Sequence, residues 1–388
     1  MGDLKINGLI SGGLMGAAPF DPASWSGSSA AFFGACRDLG ALENAYGVDI
    51  PKWRFAALAA PRFARNKEVW RRRVYKSVAY RQALESALPA AMAGADPQLP
   101  VVQLGAYVNL RSAFKDSRPW VTYQDGNAAE YAKSPFTPAA LKADQTLHQT
   151  CIGYETRLAE ETDLVLTTSE WLRRSFIENY GLSEDKVTSI GCGMNAAVPD
   201  ALPDKDYSAK DILFIGKEFD RKGGDVAVAA LAEVRKKFPD AKLHIVGPAD
   251  LPSDAKAAPG VIHHGFLNRS VPDQAAQLEK LFLAASIFVL PTRYEPFGIA
   301  PLEAMGWGVP AIVTGDWALA ENISPGETGA HMKRDDAQGL ADQVIDFLEH
   351  PEKLAKMGAA AHRTVTDGRY DWAQVAQRLL TVMEKKLP

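Results

Sequence analysis

Two glutamates in a strand–turn–helix segment are the strongest candidates for chemistry in this sequence. Glu295 lies in a polar turn after the apolar run 287–291, and Glu303 follows eight positions later inside a helical segment. Gly298 lies where that helix should begin, so free backbone amides and the positive end of the helix dipole can face an anion. The two carboxylates therefore suit one ligand with a phosphate centre and hydroxyl-rich ends. A solvent-facing turn glutamate and an ordinary helical glutamate are the alternative.

Histidine and cysteine residues form no recognisable metal-binding pattern. His263 and His264 are adjacent, and neighbouring residues on a strand point to opposite faces. The three cysteines, Cys36, Cys151 and Cys192, lie far apart and include no Cys-x-x-Cys pair. The sequence therefore predicts no metal site, no disulfide framework and a reducing compartment.

Alternating strands and helices must position these residues. In the second half, apolar runs predict strands at 211–216, 241–247, 287–291 and 309–314, and helical periods lie at 226–238, 274–285 and 298–307. In the first half, strands are predicted at 4–10, 100–104, 119–123, 163–168 and 186–190, and helices at 28–40, 66–93 and 141–161. This alternation indicates βα units on parallel sheets, the doubly wound α/β class. Ligands of such folds bind at the carboxyl ends of the strands.

Composition excludes several classes of protein. The chain has 388 residues, is 47% hydrophobic and 23% charged, and carries a net charge of −4. These values are typical of a soluble globular protein and give no sign of nucleic-acid binding. No apolar run approaches the roughly 18 residues of a membrane-spanning helix. Length and the Pro-, Asp- and Lys-rich stretch 200–210 predict two domains of similar size.

The segment 291–310 resembles the E-x7-E segment of the retaining family 4 glycosyltransferases. The spacing of Glu295 and Glu303 matches, as do Pro-Phe-Gly at 296–298 and Gly-Val-Pro at 308–310. The resemblance extends over most of the second half. It implies the GT-B fold: two facing Rossmann-like doubly wound domains, with a C-terminal helix that returns to the first domain.

A glycine-containing stretch at 214–225 resembles the family segment in which two cations hold the donor's diphosphate. Lys222 matches the lysine of that segment. Lys217 stands where an arginine is common, so a point charge replaces a bidentate fork. A solvated basic loop is the alternative. Lysines and helix dipoles can stabilise a leaving diphosphate, so the resemblance implies no bound metal and no cofactor beyond the nucleotide-diphospho-sugar.

Other donor-site roles also follow from the resemblance. Glu303 would hold the ribose hydroxyls and Glu295 a hydroxyl of the donor sugar. The amides of Gly298 and Ile299 would help to position phosphate and sugar. The remaining donor-site predictions are Gly247, which ends a strand, Leu267, which ends the segment that receives the base, and Phe297.

The first half resembles the family more loosely. Gly27, just ahead of the helix at 28–40, is the candidate for backbone contact with donor phosphate and acceptor. Many family members place a histidine near the reacting sugar after the strand at 119–123, where this chain has Gln124 and Asp125. Which of the two replaces the histidine stays open. Asp125 could hydrogen-bond an acceptor hydroxyl and joins Glu295 and Lys222 as a predicted catalytic residue; a turn-forming Asp-Gly is the alternative.

The segment 52–82 combines positive charge with aromatic side chains, and Glu68 is its only carboxylate. Basic amphipathic helices with aromatic residues dock on anionic membranes and gain about 1 kcal/mol per cation at the surface. The segment therefore predicts contact with an anionic membrane surface. An anionic acceptor site and a merely solvated helix are the alternatives.

The resemblance as a whole implies a metal-independent retaining hexosyltransferase. It would move a hexose from a nucleotide-diphospho-sugar to a hydroxyl of a glycan or glycolipid acceptor in the interdomain cleft. A nucleotide-sugar epimerase, a glycan phosphorylase and a non-catalytic sugar-nucleotide binding protein are the alternatives. An incomplete glycine fingerprint at 11–16 disfavours a nicotinamide dehydrogenase. The sugar, the base and the acceptor stay open.

The resemblance also implies that each of the two domains binds one of the two substrates. The acceptor-binding domain comprises 1–198 with the returning helix 370–388, and the donor-binding domain comprises 209–369. The predicted location is the cytoplasm, with a peripheral position on the inner face of the cytoplasmic membrane if 52–82 binds lipid. No nucleic acid partner is expected.

Overall fold

The computed structural model describes residues 4–12, 18–22, 24–134 and 144–387. The chain divides into two compact units, Met1–Asn195 with Tyr370–Pro388 and Ala196–Arg369. Part of the glycine fingerprint at 11–16 and the first residues of the helix predicted at 141–161 lie outside the described residues.

Each unit contains a six-stranded sheet whose neighbouring strands pair in parallel. The first unit contains β1 Ile6–Ser11, β2 Leu42–Val48, β3 Val101–Leu104, β4 Trp120–Gln124, β5 Leu164–Thr167 and β6 Val187–Ser189. The second contains β7 Asp211–Ile215, β8 Lys242–Val246, β9 Val261–Gly265, β10 Ile287–Leu290, β11 Ala311–Thr314 and β12 Gly329–Met332. The strand orders are β2-β1-β3-β4-β5-β6 and β12-β11-β10-β7-β8-β9.

Helices connect these strands. The first unit has α1 Ser28–Asp38, α2 Lys52–Ala59, α3 Lys67–Tyr75, α4 Val78–Glu85, α5 Leu88–Ala91, α6 Leu110–Ala113, α7 Ala128–Lys133, α8 Gln145–Glu161 and α9 Glu170–Tyr180. The second has α10 Gly224–Lys237, α11 Ser253–Ala257, α12 Pro272–Ala284, α13 Ile299–Gly306, α14 Leu319–Asn322, α15 Ala337–Glu349 and α16 Pro351–Thr366. The helix α17, Trp372–Lys386, belongs to the first unit.

The sheets follow from continuous apolar runs. Every residue of β1 and of β10 is buried, as expected for parallel strands that are covered on both faces. The predicted doubly wound α/β class is therefore confirmed. The edge strands β2 and β12 were not predicted, because both are only partly buried and lack a continuous apolar run.

The single helix predicted over 66–93 is wrong, because the structure breaks it into α3, α4 and α5. Ser77 begins the second piece: its hydroxyl accepts a hydrogen bond from the Tyr80 amide at 3.3 Å and caps α4. Pro89 lies in the first turn of α5, where its missing N–H costs nothing.

The helix α17 returns to the first unit, as predicted. The Trp372 indole donates a hydrogen bond of 3.0 Å to Asn195, and its ring lies 5.9 Å from the Phe32 ring of α1. Arg378 donates to the carbonyl of Ile190 at 2.7 Å. These contacts fix the helix beside the carboxyl end of β6. Across the described residues, no helix combines the length and apolar character that crossing a bilayer requires.

Candidate active site

The strand order of the second sheet places two loops side by side. From β7 the sheet grows outward through β8 and β9, and from β10 it grows the opposite way through β11 and β12. Such a topological switch point between β7 and β10 leaves a crevice at the carboxyl ends of the parallel strands. The loop 216–223 follows β7 and the loop 291–298 follows β10. The sequence places Lys222 in the first loop and Glu295 in the second.

Gly223 allows the two loops to touch. Its backbone has φ of +73°, in the left-handed region that favours glycine. A Cβ atom at this position would collide with the carbonyl oxygen of Pro291. Gly216 is confined by a side chain, since a Cβ there would lie 2.7 Å from the Cγ of Lys222. The glycines therefore hold Lys222 against the second loop.

Two arginines connect the loops. The Arg221 guanidinium donates to the Tyr294 carbonyl at 2.6 Å, and the Arg293 amide donates to the Arg221 carbonyl at 2.9 Å. Arg293 also forms a bidentate pair with Asp225 of α10, at 2.7 and 2.8 Å, and a further bond of 2.6 Å to Asp335. Both carboxylates raise the pKa of Arg293. The roles of these arginines are not predictable from the sequence, because nothing in their local pattern indicates partners so distant in the chain.

Lys222 and Glu295 form an ion pair at the centre of the crevice. Their side chains are only 14% and 12% exposed. Burial lowers the pKa of the Lys222 ammonium to about 7, and the neighbouring Arg221 acts in the same direction. The Glu218 carboxylate favours the charged ammonium and opposes that shift. The structure thus brings together the two residues that the sequence assigned to phosphate and sugar.

Gly298 lies at the junction between the second loop and α13. It has φ of +86°, and a Cβ there would collide with the Leu319 side chain. The buried Phe297 accepts a hydrogen bond of 2.9 Å from Asn322 through its carbonyl. The amide groups of Gly298 and Ile299 therefore lie at a fixed helix start, the position predicted for phosphate and sugar contacts.

Glu303 lies inside α13 and is only 7% exposed. Arg269, in the loop after β9, donates to its carboxylate at 2.6 Å. Burial raises the pKa of Glu303 to about 7, while Arg269 acts to lower it. Arg269 was not predicted: the sequence shows only a cation two positions after Leu267, with no sign of a partner 34 residues away.

The other predicted donor residues lie along the same edge of the sheet. Lys217 is exposed, and its ammonium lies 4.5 Å from the centre of the Phe266 ring. Gly247, at the end of β8, has φ of +119°, and a Cβ there would lie 2.7 Å from the Gly216 backbone. Leu267 is buried just after β9. All three therefore follow the carboxyl ends of neighbouring strands, β7, β8 and β9.

The histidines of β8 and β9 form hydrogen bonds with other residues of the second unit. His263 bonds the Pro248 carbonyl at 2.9 Å. His264 bonds His244 at 3.0 Å, and His244 bonds Asp211 at 2.8 Å. Among the described residues, no group of three or more histidine, cysteine, aspartate or glutamate side chains is arranged to hold a metal ion. Metal independence itself stays a prediction.

Gly27, Gln124 and Asp125 belong to the first unit. Gly27 has φ of +89° and begins α1. Gln124 is buried at the end of β4, whereas Asp125 is exposed in the turn that follows. Of the two candidates, Asp125 is therefore the more exposed residue. The acceptor role of this turn stays a prediction.

Residues 203–364 match the family described as "Glycosyl transferases group 1". A glycogen synthase of Mycobacterium tuberculosis is 29% identical over 230 residues, which are 57% of this chain and 54% of that protein. The chain thus spans little more than half the length of such relatives. The predicted resemblance to family 4 glycosyltransferases is confirmed.

Two solved structures share the architecture over nearly the whole chain. Sucrose-phosphate synthase from Thermosynechococcus elongatus has a TM-score of 0.68 at 18% identity and covers 98% of both chains. HepE from Anabaena, in complex with UDP and glucose, has a TM-score of 0.66 at 15% identity and covers 98% of this chain and 99% of its own. These likenesses confirm a two-domain α/β fold of GT-B type.

Proposed function

Because the second unit matches the group 1 glycosyltransferases over 203–364, we propose that this chain is a glycosyltransferase with a nucleotide-diphospho-sugar donor. The observation that carries the proposal is the buried pair of Lys222 and Glu295 beside the start of α13. A desolvated ammonium next to free helix amides suits a diphosphate, and a buried carboxylate suits sugar hydroxyls. HepE, which shares the fold, binds UDP and glucose.

In this arrangement, Lys222 and Glu295 change partners when the donor binds. Lys222 leaves Glu295 and pairs with the diphosphate, assisted by Lys217 and by the amides of Gly298 and Ile299. Glu295 then accepts hydrogen bonds from hydroxyls of the donor sugar. Both ions keep a partner, so neither is left buried and unpaired.

Glu303 binds the ribose. Its carboxylate accepts hydrogen bonds from the ribose hydroxyls, and Arg269 favours its ionised form. The backbone near Leu267 receives the base, while Gly247 and Phe297 shape the walls of the donor site. The base itself is not assigned.

Transfer proceeds with retention and without a metal ion. The bond between the anomeric carbon and the diphosphate oxygen breaks, and the acceptor hydroxyl forms its bond on the same face of the sugar. The acceptor proton passes to the leaving diphosphate, whose charge is stabilised by Lys222 and the α13 dipole. Asp125, in the first unit with Gly27, orients the acceptor hydroxyl.

The acceptor is a glycan or glycolipid, and the segment 52–82 contacts an anionic membrane surface. Trp53 and Phe63 support this part of the proposal, since they are 73% and 66% exposed beside basic residues. Not all of the segment is available: Arg81 is buried and paired with Glu155 at 3.1 Å. The membrane contact is therefore confined to α2, the residues 60–66 that contain Phe63, and the start of α3.

A panel of nucleotide sugars tests the proposed function. One of them should raise the melting temperature, undergo slow hydrolysis without acceptor, and give a product with the donor's anomeric configuration by NMR. An epimerase would convert the donor without an acceptor, and a phosphorylase would need inorganic phosphate. Failure of every nucleotide sugar to bind would overturn the proposal, and binding without turnover would leave a binding protein.

A further inference from the structure

Two cations of the first unit lie around one tyrosine ring. The Lys76 ammonium is 3.6 Å from the centre of the Tyr131 ring, and the Arg72 guanidinium is 4.9 Å from it. Arg72 also donates to the Tyr131 hydroxyl. The Lys76 amide bonds the Arg72 carbonyl at 3.0 Å, so the two cations are fixed one turn apart at the end of α3. A cation–π contact stabilises each charge without neutralising it.

Lys76 has no carboxylate within ion-pair distance among the residues that the structure describes. Burial lowers the pKa of its ammonium, and Arg81 and Arg72 act in the same direction. The groups that oppose this shift are the Cys151 thiol and the Glu155 carboxylate. A half-buried cation among other cations is costly unless an anion joins it.

Both carboxylate oxygens of Glu155 already accept hydrogen bonds. One of its oxygens accepts from Arg81 at 3.1 Å. The other accepts from the Ala128 amide at 2.7 Å and from the Tyr180 hydroxyl at 2.9 Å. These bonds anchor the start of α7, which carries Tyr131. Glu155 therefore builds the site and is not available to neutralise Lys76.

The cluster lies at the carboxyl edge of the first sheet. Helix α7 begins directly after the turn that holds Asp125, and Arg81 donates to the carbonyl of Ala106, just beyond β3, at 2.9 Å. Lys76 and Arg72 therefore lie on the side of the unit where the acceptor hydroxyl is expected.

We propose that Lys76, Arg72 and Tyr131 bind a phosphate ester on the acceptor. The inference rests on the proposed function, because it names the acceptor class of the same enzyme. An ammonium, a guanidinium and a phenolic hydroxyl supply donors to three phosphate oxygens. The ester belongs to a soluble sugar phosphate or to a phospholipid headgroup, and the experiment distinguishes these sources.

Binding is measured on the full chain by titration calorimetry with four probes. Fructose 6-phosphate is compared with fructose, and phosphatidylcholine vesicles that contain phosphatidic acid, a phosphate monoester, are compared with phosphatidylcholine vesicles that carry the same negative charge on oleate. The wild type should prefer either the phosphorylated sugar or the phosphatidic acid vesicles to the matched probe, which identifies the source of the ester. Lys76→Met should weaken that binding about 10- to 100-fold, the effect of losing one charge-assisted hydrogen bond, whereas Lys76→Arg should retain most of it.

A matched control uses Lys115, an exposed lysine of the first unit in the loop before β4, outside the segment 52–82. Lys115→Met should bind the same probe as well as the wild type does. Nucleotide-sugar binding should be unchanged in all three variants, which verifies that they are folded. Equal binding by wild type and Lys76→Met, or no preference of the wild type for a phosphorylated probe, would overturn the phosphate site alone. Loss of nucleotide-sugar binding in the wild type would instead overturn the proposed function.

Discussion

Lys222 is the residue on which the donor site depends most. It lies almost buried beside Glu295, and a diphosphate would take over this pairing. Lys222→Ala should weaken nucleotide-sugar binding about 100-fold, because a charge-assisted contact in a desolvated site is lost. Lys217→Ala, which removes an exposed ammonium, should cost much less. Calorimetric titration of both variants measures the difference, and equal losses would contradict a special role for Lys222.

The protonation of Lys222 should also make donor binding depend on pH. Its pKa is lowered to about 7, so the charged fraction in the free protein falls as the pH rises above 7. Affinity for the nucleotide sugar should therefore fall between pH 7 and pH 9, by at most about tenfold per unit. Lys222→Arg keeps its charge throughout this range and should flatten the profile. A flat profile in the wild type would contradict this explanation.

Glu303 should make the stability of the folded protein decrease as the pH rises. Its pKa is raised from 4.5 to about 7, so the folded state binds the proton more tightly than the unfolded state does. The stabilising contribution is complete below pH 4.5 and is lost as the pH rises through 7. Glu303→Gln should therefore be more stable than the wild type at pH 8, by about 2–3 kcal/mol, and show a smaller advantage at pH 5. Urea unfolding at the two pH values tests this, and an equal difference at both would refute it.

At the scale of elements, the contact between the loops 216–223 and 291–298 is the critical feature. Gly223→Ala would add left-handed strain and a collision with the Pro291 carbonyl. Gly326→Ala is the matched control, because Gly326 also has positive φ, +81°, but has open space around its Cβ position. The control should lose about 1 kcal/mol of stability, and Gly223→Ala clearly more, together with donor affinity. Similar losses in the two variants would show that the contact is unimportant.

The elements also indicate which features were predictable from the sequence. The segment from β10 to α13 was foreseen because strand, turn and helix are contiguous and their apolar runs are unbroken. Arg269 and Arg293 were not foreseen, because a single sequence carries no signal for partners tens of residues away. The helix predicted over 66–93 was wrong because Ser77 competes for the backbone as a cap. The edge strand β2 was missed because its residues are half-exposed.

At the scale of the molecule, the second unit is contiguous in sequence and the first is not. The fragment Ala196–Arg369 contains Lys222, Glu295 and Glu303 and should fold alone. It should bind the nucleotide sugar that the full chain prefers, but it should transfer nothing, because it lacks the acceptor residues. Calorimetry on the fragment, with circular dichroism to verify folding, tests this division. A folded fragment without affinity would place part of the donor site in the first unit.

The return of α17 has a consequence for synthesis on the ribosome. The chain of Met1–Asn195 emerges first, yet Phe32 of α1 acquires Trp372 as its neighbour only after the whole second unit has been translated. At about 5–20 residues per second, this delay lasts roughly 10 to 35 seconds. During that interval the second unit can complete its own core, while the nascent first unit exposes an aromatic face that chaperones can bind.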